Sequence, residues 1–388
     1  MQIAFFMACA LFAASLGYLL VAIFCVLKFG RSLLKPAPGL KEYPGVTIYK
    51  PLHGVDYGLK ENLLSFFKQD YPVFQILFGV SSGDDPAIDI VRDLMAQFPA
   101  VEADLIINQH SNGENPKVSN LINMDQMAKH NLLIISDSDM IVEADYISRI
   151  VAGFENTTVG LVTCLYKGTP APGLASHLGA MFISQWFTPS ALIPATFGKM
   201  QNCFGATMAL KRSVLNEIGG LQALVGNLAD DYTLGRLVRE AGYDIHLAPV
   251  IVENVVLEAS VKSLILHELR WARTIRAVEP AGFLSTFITD AIPISLITGL
   301  FASLSGYSLV CSLAPLALAL FVRILLHFST NTTFSSKQPL SLWIVPIREL
   351  LSFVVRLLCY TGRTVSWRDS ELSIDKGGDI NNSTPADR

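Results

Sequence analysis

Between residues 3 and 27 the chain runs without a single charged side chain. About 20 apolar residues suffice for a helix to cross a bilayer. No basic residue precedes the run, and it is longer than the core of a signal peptide. The pattern therefore predicts an uncleaved transmembrane helix over residues 1–28. Lys28, Arg31 and Lys35 follow at once, and by the positive-inside rule they put the next segment in the cytoplasm. Residues 29–43 read as a linker leading into Pro/Gly-rich sequence, "KPAPGLKEYPG".

The pattern changes over residues 44–280. Short apolar, β-branched runs, "GVTIYK", "FQILFGV", "ADLIIN" and "NLLIIS", alternate with amphipathic stretches such as "LKENLLSFFKQ" and "PAIDIVRDLMAQF". Strand-helix alternation with nearly continuous apolar strands predicts an α/β domain, a mostly parallel sheet covered by helices. Residues 281–361 turn oily again. Residues 283–326 are long enough for two spans, broken near "SLSGYS", and 340–360 form a third candidate. That third segment carries Arg348 and Glu349 at its centre, where lipid penalises charge. It is expected to be re-entrant, interfacial or packed inside a helix bundle. Three full crossings would also strand the basic "GRTVSWR" outside, so one segment is expected not to cross. Residues 362–388 form a polar tail, expected to be unstructured after Arg368.

Composition sharpens this division. The chain has 388 residues, 51% hydrophobic and 16% charged, against about 25% charged in soluble globular proteins. A net charge of −4 leaves no electrostatic footprint for nucleic acid. Six scattered cysteines without C-x-x-C spacing suggest neither a zinc site nor a disulfide framework. Nothing in the pattern sets an oligomeric state.

The polar residues worth singling out stand where apolar strands end. "NLLIISDSDMIV" closes on Asp137 and Asp139, and residues i and i+2 on a strand end project to one side. They would suit Mg²⁺ or Mn²⁺ as hard oxygen ligands, bridging a diphosphate. A polar turn before a helix is the plainer reading. Asp84 and Asp85 follow "FQILFGV", and helix capping alone would account for both. Lys117 precedes a helix expected to start near Val118, where the dipole disfavours a cation unless an anion is close. Asp230 and Asp231 open a helix expected to end near Gly242. Asp230 can cap it, leaving Asp231, ionised by the dipole, as a general base beside a sugar acceptor. Further on, "LHELRWARTIR" lies on a helix from about Val261 and sets His267, Arg270 and Trp271 within one turn. These three read equally as a surface histidine, a solvated arginine and an interface anchor. The apolar, aromatic residues 173–200 suit either the membrane interface or the core.

Taken in order, an aspartate pair, K-x-x-N, D-S-D, D-D-Y and x-x-R-W, followed by membrane segments, resemble the ceramide glucosyltransferase family. "PGVTIYKPLHGVD", "SFFKQDYP", "DDPAID", "NPKVSNL", "GLVTCLY" and "HELRW" appear in the family's order. The likeness covers residues 44–276 and, more loosely, the flanking spans. It implies an inverting GT-A-like enzyme that moves a sugar from a UDP-sugar to a membrane-lipid hydroxyl. By that pattern Asp85 touches the nucleotide, while Asp137 and Asp139 serve the metal-diphosphate. Lys117 and Asp230 join the substrate site, and Asp231 is the base. Arg270 and Trp271 end the Q-x-x-R-W motif. His267 stands where that motif has Gln or Arg. The departure, with "KVSNLINM", resembles a bacterial branch that includes hopanoid-modifying enzymes. It implies an inner-membrane protein whose acceptor is ceramide or a hopanoid, the latter as an N-acetylglucosaminyl acceptor. Few membrane segments disfavour a polysaccharide synthase or a transporter. The remaining rival is an inactive membrane-anchored nucleotide-sugar-binding scaffold.

Overall fold

Four short runs of β-branched and aliphatic residues form one half of an eight-stranded sheet. They are β1 (Val46–Pro51), β2 (Phe74–Val80), β3 (Glu102–Ile107) and β4 (Leu132–Ile135). The computed structural model describes residues 1–37, 39–335, 342–362, 364–367, 370–374 and 380–381. The remaining strands are β5 (Met140–Ile141), β6 (Val159–Pro170), β7 (Met208–Lys211) and β8 (Asp244–Val256). The order is β3-β2-β1-β4-β7-β6-β8-β5. Pairings β1–β2, β2–β3 and β1–β4 are parallel, and β4–β7, β6–β7 and β5–β8 antiparallel. The predicted α/β sheet is thus present and mixed, parallel in the half whose strands the sequence displays as unbroken apolar runs.

The chain folds into two compact units. Ser32–Lys167 and Phe197–Leu257 make the unit that holds most of this sheet. Strand residues alternate between its faces. Ile48, Ile76, Phe78 and Ile134 pack with Leu63 and Phe66 of helix Leu59–Phe67, Val91 of Ala87–Gln97 and Ile150 of Tyr146–Ala152. On the other face Tyr49 donates a 2.6 Å hydrogen bond to Asp125 of helix Pro116–Asp125. That helix lies so close that a Cβ at Gly79 would stand 2.4 Å from the Met124 sulfur. Parallel strands share one carboxyl-end edge, and the polar residues gather there.

Met1–Arg31, Gly168–Thr196 and Glu258–Arg388 form the other unit. Helices Gln2–Leu33 and Leu309–Thr333 are long and apolar enough to cross a membrane. Pro280–Thr289 and Ala291–Leu304 are bent by 67° and count as a further span only if taken together. The third candidate resolves into helix Ile344–Leu358, about 22 Å long. Its charges are buried and paired: Arg348 with Glu268 at 2.6 Å, Glu349 with Arg323 at 2.8 Å, and Arg356 with Asp290. Of the options left open by the sequence, packing inside a bundle is the one found. Residues 173–200 also include bundle contacts. Trp186 lies beneath the Arg323 guanidinium, 3.7 Å from ring centre, and Ser190 meets the Tyr18 hydroxyl at 2.7 Å. In the tail, Thr364–Trp367, Ser370–Ile374 and Ile380–Asn381 form a small antiparallel sheet, and its last two strands fall after Arg368, where no structure is expected. The period-2 alternation of "SELSI" is the local cause. Residues 368–369, 375–379 and 382–388 of that expectation lie outside the described residues.

Candidate active site

The edge is built around Lys117. Asn115 caps helix Pro116–Asp125 by accepting from Val118 N at 3.1 Å, so the helix starts two residues before Val118, with Pro116 in its first turn. Lys117 is therefore held in the first turn, where its anion is supplied by the protein itself. Its ammonium lies 2.8 Å from Asp137 Oδ1 and 2.9 Å from Asp230 Oδ2. Burial alone would depress this ammonium, but the two carboxylates outweigh it and hold its pKa above the usual lysine range.

Asp137 and Asp139 do not extend β4. The strand ends at Ile135, and the pair sits in the turn to β5. The correction has a cause beneath the turn. Lys50 of β1 is fully buried against the Phe66 ring and donates to the Asp137 carbonyl oxygen, which holds the chain out of strand geometry. Burial pulls Lys50 down to about 7, against the charges of Asp137 and Asp139. Asp139 Oδ2 accepts from Asn254 at 2.7 Å, whereas its buried Oδ1 has no hydrogen-bond partner. Burial, then the charge of Asp137, lifts the Asp139 carboxyl above its usual range.

Helix Asp230–Glu240 supplies the rest. Asp230 is not its cap, because Ala229 holds the N-cap position and the Asp230 carboxylate is drawn to Lys117. Asp231 accepts from Gly205 N at 3.0 Å and Tyr232 N at 2.7 Å. The dipole does not decide its ionisation either. Burial and the charge of Asp230 raise its pKa, against Lys117 and the two amides. Asp85 accepts from Gly54 N at 2.9 Å and Ala87 N at 2.9 Å. It thus ties the start of helix Ala87–Gln97 to the loop after β1, and helix capping alone does not account for its bonds.

Gly205 marks where these groups converge. A Cβ there would lie 3.2 Å from Asp137 Oδ2, 3.6 Å from Asp231 Oδ2 and 3.7 Å from Lys117 Nζ. Gly205→Val should therefore crowd the carboxylates and cut turnover by roughly 10²-fold, the scale of a ~1 Å misplacement. An unchanged melting temperature with wild-type turnover would show that this space is not used.

Sequence reasoning missed Lys50, Tyr166, Gly205 and Asn254. Lys50 alone carries a signal, a charge inside an apolar strand. Burial, followed by the charges of Asp231, Asp139 and Asp137, raises the Tyr166 phenol. His267, Arg270 and Trp271 belong to the other unit, on helix Val261–Val278. There the His267 and Trp271 rings meet at 4.3 Å, and Trp271 stacks on Phe182 at 6.2 Å.

Comparison with known proteins adds the lineage. The sequence profile of glycosyl transferase family 21 matches residues 7–380. Ceramide glucosyltransferase 3 of Caenorhabditis elegans is 28% identical over 359 residues, covering 87% of this chain and 74% of that protein. Ceramide glucosyltransferase 1 of the same organism is 27% identical over 357 residues, covering 90% and 75%. In fold, the chain is similar to mannosyltransferase PcManGT from Pyrobaculum calidifontis, solved with GDP-Man and Mn²⁺. That likeness has a TM-score of 0.50 at 18% identity and covers 91% of this chain and 99% of the other.

Proposed function

Because the chain belongs to glycosyl transferase family 21, the family of the ceramide glucosyltransferases, we propose that it transfers a hexose from a UDP-sugar to a ceramide hydroxyl with inversion. The observation that carries this reading is the convergence of Asp137, Asp231 and Lys117 on the space above Gly205. An inverting displacement needs a base on one side of the sugar carbon and charge compensation on the other, and this edge offers both.

Asp231 takes the proton from the acceptor hydroxyl. A carboxyl lifted by burial is a stronger base than an ordinary aspartate, and the amides of Gly205 and Tyr232 keep it aimed. Lys117 pairs with Asp137 and Asp230 and offers positive charge to the departing diphosphate. A divalent ion fits beside it. Asp139 Oδ1 is buried and unpartnered, and Asp137 and Asp139 are hard oxygen donors. Mg²⁺ is commonly bound by one or two carboxylates plus substrate phosphates. This agrees with the absence, among the described residues, of any cluster of three or more metal-binding side chains. When bound there, Mg²⁺ or Mn²⁺ supplies charge that stabilises the leaving diphosphate. Asp85 borders the nucleotide in this reading, and His267, Arg270 and Trp271 keep the substrate role that the family motif implies for them.

Purified protein incubated with UDP-glucose, UDP-galactose or UDP-N-acetylglucosamine, with ceramide or a hopanoid polyol, is expected to yield glucosylceramide by mass spectrometry. A hopanoid product would select the bacterial-branch alternative. No metal-dependent lipid glycosylation under any pairing would leave the scaffold reading. Lys28, Arg31 and Lys35, which follow the first apolar run, support a cytoplasmic site. Protease added to sealed right-side-out spheroplasts should leave residues 44–280 intact, and cleavage there would reverse that orientation.

A further inference from the structure

The histidine that replaces the usual residue of the Q-x-x-R-W motif has a partner the sequence does not announce. His267 Nδ1 lies 2.8 Å from Glu258 Oε1. The other Glu258 oxygen accepts from Ser263 Oγ at 2.8 Å, and the Glu258 backbone N donates to Ser176 Oγ at 3.0 Å. The Glu258 side chain is 6% exposed and that of His267 36%. A buried carboxylate is costly unless it is paired and hydrogen-bonded, and Glu258 is both. On its other side the imidazole rests on Trp271, itself backed by Phe182. One polar edge of the ring is thus committed while its face is clamped.

A carboxylate bonded to Nδ1 keeps the proton of the neutral ring on that atom and leaves the lone pair on Nε2. Such outer partners fix both tautomer and ring plane. The glutamine of the family motif needs no such partner, since its amide presents donor and acceptor together. We propose that Glu258 is a positioning residue for the transfer reaction, fixing the tautomer and plane of His267 so that Nε2 is presented to substrate. This rests on the glycosyl-transfer reading above. The plainer role for Glu258 is to brace the start of helix Val261–Val278 through Ser263, which already shares a capping box with Ser260.

Coupling separates the two roles. In the wild-type background Glu258→Gln should lower kcat by about 10–100-fold, the usual loss for an outer partner, with donor KM unchanged. Glu258→Asp, which draws the carboxylate back by one methylene, should do the same, and it carries the test if the first variant does not accumulate. His267→Gln, which restores the residue of the family motif, should lower kcat and retain a measurable rate. Adding either Glu258 variant to it should change kcat by no more than about twofold, the limit of independent effects. Equal losses in both backgrounds would make Glu258 a brace and overturn the proposal. An inactive His267→Gln enzyme would overturn it too. A wild-type enzyme that transfers from no UDP-sugar would instead sink the functional reading, independently of Glu258.

Discussion

Asp231→Asn is expected to bind the nucleotide sugar with near-normal affinity and lose about 10²–10⁴-fold in transfer rate, the usual contribution of a positioned base. The amide keeps the shape and its one oxygen can still accept from either Gly205 N or Tyr232 N, but it cannot take up the acceptor's proton. The pH profile provides a second check. A base works only when deprotonated, and burial with the charge of Asp230 raises this carboxyl. Wild-type kcat should therefore fall, as pH drops, at a higher pH than an ordinary aspartate would give. The residual rate of Asp231→Asn should lack that limb. Wild-type turnover in the variant, with chemistry shown to be rate-limiting, would remove Asp231 from the role.

Asp139→Ala is expected to lower transfer by at least ~10²-fold, since even outer partners of metal ligands cost 10–100-fold. The fold should survive. Asn254 loses one partner, while Lys50 keeps its bond to the Asp137 carbonyl oxygen. Calorimetry of UDP binding with and without Mn²⁺ gives a readout independent of turnover. The wild-type protein should bind UDP more tightly with the ion, and the variant should lose that difference. Full activity of Asp139→Ala in the presence of a chelator would end the metal assignment.

The parts of this molecule that the sequence displays are those in which one physical demand acts alone. Strands β1, β2 and β4 are buried on both faces and therefore read as apolar runs, which is why "FQILFGV" and Phe74–Val80 coincide, while β3 lies half-buried at the sheet's edge. The long strand Asp244–Val256 is buried on alternate residues only, and interspersed His246, Glu253 and Asn254 hide it among loop-like sequence. The site was legible as residue types and illegible as partnerships. Asp137, Asp230 and Lys117 each stood out, but that one lysine joins both aspartates depends on a fold that brings residue 117 beside residue 230. The same limit explains Asp230. A local rule made it a cap, and a distant charge took it instead. Lys50 shows the converse, because its single charge within "VTIYKP" has meaning only once the turn above it is known.

The inward charges of helix Ile344–Leu358 bear on how the chain is made. A charged residue at the centre of an inserting helix costs about 2.5–3.5 kcal/mol on translocon scales, and this segment brings Arg348, Glu349 and Arg356. Glu268, Arg323 and Asp290, which neutralise them, all lie earlier in the sequence and have left the ribosome before it emerges. The segment therefore meets a set of waiting counter-ions, not bare lipid. A chain ending before residue 344 would leave those three without partners, at about 3–5 kcal/mol for each broken buried pair. That is comparable to the ~5–15 kcal/mol that holds a typical domain together. A chain that stops before residue 344 is therefore expected to lack much of what holds this unit together.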